Sequence, residues 1–196
     1  MSAHSPMDPD LPNQFVAKRS NAKQAFLFLL ALATLVAFLA WQSNRLGRAK
    51  LASGRLAPPI RADGWVNGDP PTPESLANRV VLVEAWATWC RPCLGEAPHL
   101  VELHRQFADR GVIFIGLTSE NKSSLPSITQ FLKATGITWL NGWGATETLN
   151  ALETEYLPSS YVIGANGQIV WDSSSRGTVE EALELALEMA NKKIGG

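Results

Sequence analysis

The chain has only two cysteines among its 196 residues, with two residues between them. A disulfide scaffold needs cysteines spread along the sequence so that each bridge closes a loop, and one close pair cannot do that. Histidine is nearly as scarce. His4, His99 and His104 are too few and too poorly spaced to complete a four-ligand zinc site around one cysteine pair. Excess charge is missing too: 17 Lys and Arg stand against 18 Asp and Glu. That balance gives no reason to expect a nucleic-acid partner. There is no internal repeat. What the chain does have is a 45% apolar content, enough for a real core, and seven tryptophans, two of which come just before the cysteine pair.

Residues 1–24 are rich in Pro, Ser, Asn and Asp, show no apolar period, and read as a disordered tail. Residues 25–41 then run for 17 positions without a charge and with one hydroxyl. As a helix this run spans about 25 Å, slightly under a hydrocarbon core of roughly 30 Å. Gln24 and Gln42 can extend it, and Trp41 suits the membrane interface. A cleaved signal peptide fits less well, because the preceding segment is long and no small-x-small site follows directly. A buried core helix fits less well too, since the run is apolar all round. The expectation is a transmembrane anchor over 25–41. Basic residues lie on both sides of it (Lys18, Arg19 and Lys23 before; Arg45, Arg48, Lys50 and Arg55 after), so charge gives no orientation. Residues 42–59 read as a linker ending in Ala57-Pro58-Pro59, and 60–196 as one compact domain.

Within that domain, residues 64–68 suggest a short strand and turn. Val80–Trp86 and Gly111–Leu117 are nearly continuous apolar runs, expected of strands buried on both faces. Residues 92–109 carry Ala97, Leu100, Val101, Leu103 and Phe107 at helical spacing, and 124–135 carry Ile128, Phe131 and Leu132. A short helix is expected near 146–154. Residues 160–163 and 168–171 form a hairpin across Asn166-Gly167. Thr178 caps a last helix with Val179, Ala182, Leu183, Ala186 and Leu187 inward. Strand–helix–strand followed by hairpin–helix is an α/β arrangement, a mixed sheet with helices on both faces.

The chemistry sits where the first long strand runs into Trp86-Ala-Thr-Trp-Cys-Arg-Pro-Cys93 and then a helix. Cys90 falls at the helix N-terminus, whose partial positive charge favours the nucleophilic thiolate, and Arg91 adds a cation of the same tendency. Cys93 lies about one turn on, so the two sulfurs can bond and part with little backbone movement. Pro92 is tolerated in a first turn, where its missing N–H has no intrahelical partner. A bridge across two residues closes almost no loop entropy, which argues for redox use over a structural role.

These residues in this order resemble the thioredoxin superfamily, specifically the membrane-anchored bacterial proteins of the TlpA/ResA/DsbE type. Val80–Cys93 is similar to that group's strand and active-site turn. Glu96-Ala97-Pro98 is similar to its Glu-x-Pro, where the proline kinks the helix. Leu157–Ile163 is similar to the segment bearing its cis-proline, and Asn166–Val170 to the hairpin after it. The resemblance implies a thioredoxin-like fold over 60–196, preceded by one N-terminal transmembrane helix. It implies that Pro158 is a cis-proline facing Cys90, a deliberate feature where it occurs, and that Leu157 offers its backbone to an extended client segment. It places Glu84 as a buried acid beneath the site, taking the proton of Cys93. The other reading of Glu84 is an edge-exposed or structurally paired carboxylate. Trp86 and Trp89 are expected to pack around the site, with Trp89 and Arg91 as client contacts, or to be plain core. His99 reads as a surface or half-buried residue rather than a ligand. Gly164 departs from the acidic residue frequent in the group.

The implied activity is thiol–disulfide exchange, reducing disulfides of client proteins outside the cytoplasm, with cytochrome c maturation and copper-site cysteines as examples. Such a protein needs a membrane electron donor to re-reduce it. Disulfides persist in the periplasm, so the expectation is a single-pass protein of the bacterial inner membrane with its catalytic domain there. Nothing in the sequence calls for a cofactor or a metal. Two rivals remain at this stage. A peroxiredoxin-like peroxidase requires a Thr-x-x-Cys turn that is poorly matched here. A Cu(I)-binding chaperone requires a distal histidine, and none follows His104.

Overall fold

The computed structural model describes residues 27, 29, 30, 32–36 and 54–194. The chain divides into two units, residues 1–46 and 47–196. In the first unit the described residues are helical, and Leu27, Leu29, Leu30, Leu32, Leu35 and Val36 are exposed. The rest of the expected anchor over 25–41, the 1–24 tail and the linker up to residue 53 lie outside the described residues. Among the described residues, no helix is long and apolar enough to cross a membrane.

The second unit is built on two parallel central strands, β2 (Val81–Ala85) and β3 (Ile113–Leu117). Every residue of β2 is buried, which is what a run of Val and Leu without alternation requires. Around them β1 (Gly64–Val66), β4 (Leu140–Trp143), β5 (Ser159–Ile163) and β6 (Ile169–Asp172) complete a six-stranded sheet in the order β1-β4-β3-β2-β5-β6. β4 joins β3 in parallel, while β1, β5 and β6 pair antiparallel with their neighbours. The mixed α/β sheet matches the expectation from sequence.

Helices cover both faces. On one face lie α2 (Arg91–Phe107), α3 (Leu125–Thr135) and α5 (Val179–Ile194). Their Leu100, Leu103, Phe107, Ile128, Leu132, Ala182 and Leu183 pack with Leu82, Trp86, Phe114 and Val162 of the sheet region, in one cluster that also holds Cys90 and Cys93. On the other face Val81, Val83, Ala85, Ile115 and Leu117 pack against Leu149 and Leu152 of the α4 (Thr146–Ala151) region and against Ala57, Ile60 and Ala62. The cap expected at Thr178 is present, its Oγ1 accepting from the N–H of Glu181 at 3.3 Å. α2 runs unbroken from Arg91 to Phe107 with Pro98 inside it. His104 of α2 stacks on Trp139 with ring centroids 5.0 Å apart, and desolvation there holds its pKa below the ordinary histidine value.

Three elements were not foreseen in the sequence: the single turn α1 (Pro73–Leu76), the 3-10 turn Lys122–Ser124 that leads into α3, and the strand β4. β4 reads Leu-Asn-Gly-Trp, and Asn and Gly are poor strand formers. Here packing overrides propensity. Asn141 is 2% exposed, accepts from the indole N–H of Trp86 at 3.0 Å and donates to the carbonyl of Trp139 at 2.8 Å. Its side chain crosses directly over Gly116 of β3, its partner in register. A Cβ at Gly116 would overlap the Asn141 amide and lie 2.9 Å from Nε1 of Trp86. The glycine is therefore what lets Asn141 lie flat across the sheet. Gly116→Ala is expected to destabilise the domain by roughly 1–3 kcal/mol through overpacking. Equilibrium denaturation checks this, and an unchanged midpoint contradicts the packing described.

Candidate active site at the Cys90–Cys93 turn

β2 ends at Ala85, and the chain passes through a tight turn into α2. The turn is closed by the N–H of Cys90 donating to the carbonyl of Ala87 at 3.1 Å. Cys90 is the N-cap of α2, and its sulfur accepts from the N–H of Cys93 at 3.1 Å. That contact is a helix-terminus donor, and it favours negative charge on this sulfur. Cys90 and Cys93 are joined as a disulfide with Cα atoms 5.3 Å apart. Each is 4% exposed, so little of the bridge is open to solvent.

The turn is held from the segment after β3 by a residue that no sequence motif marks. Glu120 accepts the N–H of Thr88 at 2.8 Å and its hydroxyl at 2.6 Å. The Thr118 hydroxyl donates to the same carboxylate at 3.2 Å. One carboxylate thus fixes the middle of the Trp86–Cys90 segment. No local motif marks Glu120, which lies 32 positions from Thr88 and meets it only through the pairing of β2 with β3.

Glu84 lies in the central strand. Leu82 and Trp86 of its strand region face the cysteine cluster while Val83 and Ala85 face away, so period-2 alternation turns Glu84 toward the cysteines. It is 4% exposed, which removes the edge-exposed alternative. The Ser160 hydroxyl donates to one carboxylate oxygen, Oε2. The other, Oε1, is buried with no partner among the described residues. Burial pushes the Glu84 pKa up to about 8, against the lowering effect of the Ser160 hydrogen bond. A cavity of about 10 Å³ is lined by Glu84, Cys93, Trp86, Gly116 and Asn141 among others.

The other expected site residues fall as follows. The Leu157–Pro158 peptide is cis. Ala85 pairs with Ser159, so Pro158 sits at the end of the sheet where β2 runs out into the cysteine turn. Leu157 is half-buried and packs against both core clusters. Arg91 and Pro92 are exposed. The two tryptophans part company. Trp86 is core, 3% exposed and stacked on Phe131 at 4.5 Å, whereas Trp89 is 71% exposed and does not pack around the site as expected. The turn carries Trp89 outward between residues whose backbone is pinned. His99 is a surface residue, bridging Glu96 of its own helix at 2.8 Å and Glu180 of α5 at 2.6 Å. Those two hydrogen bonds hold its pKa above the ordinary value.

The sign of the Glu84 shift makes a measurable demand. An acid whose pKa is raised by folding binds more protons in the folded than in the unfolded chain between about 4.5 and about 8. Its contribution is fully favourable below 4.5 and is lost as pH rises through 8. Thermal unfolding of the oxidised protein is expected to show a loss of stability across that window, on the order of several kcal/mol. Glu84→Gln should lack that component. Parallel pH profiles for the two proteins would contradict a buried, desolvated carboxyl.

Comparison with known proteins agrees with this geometry. The Redoxin family model matches residues 52–182, well over half of the chain. Protein FixW of Rhizobium leguminosarum is 28% identical over 63% of the chain and 61% of its own length, so the match spans less than two thirds of that relative. The thiol-disulfide oxidoreductase ResA of Bacillus cereus is 25% identical over 78% of this chain and 87% of its own. Among solved structures, a thiol:disulfide interchange protein of the thioredoxin family from Chlorobium tepidum is 27% identical with a TM-score of 0.57, covering 69% of this chain and 99% of that one. A thiol-disulfide isomerase from Corynebacterium glutamicum, 21% identical with a TM-score of 0.58, shares the fold over 70% of this chain and 96% of its own. The chain belongs to the Redoxin family, and the relatives and solved structures it is similar to are thioredoxin-fold thiol–disulfide oxidoreductases.

Proposed function

We propose that the protein is a membrane-tethered reductant of disulfides in client proteins outside the cytoplasm. The observation that carries the reading is the Cys90–Cys93 disulfide at the head of α2, above a buried carboxyl that shares a cavity with Cys93. In the reduced protein the Cys90 thiolate attacks one sulfur of a client disulfide. A Cys90–client bond forms, the client's own S–S bond breaks, and the second client sulfur leaves as a thiolate and takes up a proton. Cys93 then gives its proton to Glu84 and attacks the Cys90 sulfur. The Cys90–Cys93 bond forms, the Cys90–client bond breaks, and two electrons have passed to the client. A dithiol donor reverses the last steps, with protonated Glu84 returning the proton to Cys93. A carboxyl with a pKa near 8 can serve in both directions near neutral pH.

Charge supports the reducing direction. A strong oxidant is one whose reduced, thiolate form is stabilised. Whenever Glu84 is ionised, its charge beneath Cys93 disfavours a neighbouring thiolate, which supports a pair held toward reduction of clients. Pro92 before the second cysteine, in place of a histidine, adds no cation to offset it. Client docking falls to the cis Leu157–Pro158 segment, with exposed Trp89 and Arg91 beside the turn.

The tether rests on the uncharged run 25–41 and on the exposed leucines of its described helical part. It confines the domain near the bilayer, which raises its effective concentration toward a membrane electron donor and toward membrane-bound clients. Apocytochrome c and copper-site cysteines are the client classes proposed. The location proposed is the periplasmic side of a bacterial inner membrane, where disulfides persist.

Full-length protein in mild detergent tests the cycle. Incubated with a disulfide-bonded reporter protein and a thiol donor, the parent chain is expected to turn over. Cys90→Ser should fall to background. Cys93→Ser should accumulate a reporter adduct through Cys90 that a reducing gel dissolves. An adduct through Cys93 in the Cys90→Ser protein, in place of one through Cys90, would reverse the assigned roles.

A further inference from the structure

We propose that Ser160 is a positioning residue for proton transfer at Cys93, holding one oxygen of Glu84 from the neighbouring strand so that the other is left facing the space beneath the disulfide. This rests on the exchange cycle above and concerns how its proton acceptor is set.

Register makes the contact. Glu84 of β2 pairs with Ser160 of β5, and both side chains fall on the sheet face that carries Leu82, Val162 and the cysteine cluster. Ser160 is fixed from its far side. Its N–H donates to the Ser173 hydroxyl at 2.6 Å, and its carbonyl accepts from the N–H of Ser173 at 3.0 Å. With its main chain pinned to the segment after β6, the Ser160 hydroxyl is a stationary donor to Oε2 of Glu84. Oε1 is then the oxygen left without a partner among the described residues.

That oxygen has somewhere to act. Across β3 the residue in register with Glu84 is Gly116, and beyond it on β4 is Asn141. A space of about 10 Å³ is lined together by Glu84, Gly116, Asn141 and Cys93. About 10–15 Å³ of this kind accommodates one water, enough to relay a proton between a carboxylate and a thiol that do not touch. The groups bearing on Glu84 are few. Ser160 comes from β5, and Cys93, Glu96 and His99 from α2, with Glu96 raising and His99 lowering its proton affinity by charge alone. Ser160 makes the one hydrogen bond to the carboxyl among the described residues, so its loss removes the main interaction that opposes desolvation.

The test uses the full chain in mild detergent, oxidised, so that no cysteine titrates. The infrared carboxyl band absent from Glu84→Gln is followed against pH. In the parent protein its midpoint is expected near 8. Ser160→Ala is expected to move it upward by about one pH unit, the loss of one hydrogen bond to a charged group. The rate at which Cys93 resolves a Cys90-linked mixed disulfide at pH 7 should fall roughly tenfold, following the carboxylate fraction. Ser160→Thr keeps a hydroxyl on a good strand former and should restore both. An unmoved carboxyl midpoint in Ser160→Ala overturns the proposal, as does a uniform rate loss that Ser160→Thr does not repair. If the parent itself performs no exchange, the oxidoreductase cycle falls and the relay with it, whatever the carboxyl titration shows.

Discussion

Glu84 puts an ionisable group where a strand covered on both faces ordinarily carries valine or isoleucine. Taking a carboxylate out of water is expensive, and the protein meets that expense in two ways. It leaves the group protonated over most of the physiological range, and it supplies one hydroxyl donor for the charged form. Both matter to the chemistry. A carboxyl fully paired in an ion pair would be a fixed charge with nothing to exchange. One that is buried and half-satisfied sits near the pH at which a thiol must lose its proton, and that is the property the proposed exchange at Cys93 needs.

The sheet is arranged around that carboxyl. Ser160, Glu84, Gly116 and Asn141 form a row across β5, β2, β3 and β4, one residue per strand and all in register. The row reads hydroxyl, acid, glycine and amide, with the amide lying over the glycine. Asn141 ties the row to Trp86, and Trp86 stacks on Phe131, so the floor of the site is continuous with the core beneath α3. The roof is set separately by Glu120 on Thr88 and by the helix-terminal N–H on the Cys90 sulfur. The reacting sulfurs thus lie between two independently anchored layers, which suits a reaction that needs a short, repeatable sulfur movement.

Much of this is legible along the sequence. The buried strands β2 and β3, the long helix after the cysteines, the hairpin at Asn166-Gly167 and the cap at Thr178 all follow from local patterns, because their residues are chosen by period and turn chemistry. The cysteine pair and the cis peptide at Pro158 also sit in contiguous motifs. What sequence could not supply is whatever depends on register between strands distant in the chain. Ser160 is an unremarkable serine until β5 is aligned on β2. Asn141 and Gly142 look like a loop until β4 is seen lying against a β3 that has a glycine to receive it. Trp89 misled for the opposite reason. A tryptophan beside a buried partner suggests packing, but the pinned turn carries it outward to 71% exposure. The surface bridge from His99 to Glu180 likewise joins helices far apart in the chain.

An exposed tryptophan and an exposed arginine beside a nearly buried disulfide describe a site that a client must press against to reach. A tether to a membrane would restrict which clients do so, and the proposed cycle requires the Cys90–Cys93 pair to exchange electrons in the reducing sense. The most direct measurement is the redox state of Cys90 and Cys93 in the full chain, equilibrated against defined thiol–disulfide buffers and read by alkylation of free thiols. The expected result is one two-electron transition at a reducing potential, closer to the roughly −270 mV of thioredoxin than to the roughly −120 mV of a strong oxidant such as DsbA. A transition at the oxidising end would contradict the direction assigned to the cycle, and the absence of any two-electron transition would contradict the cycle itself.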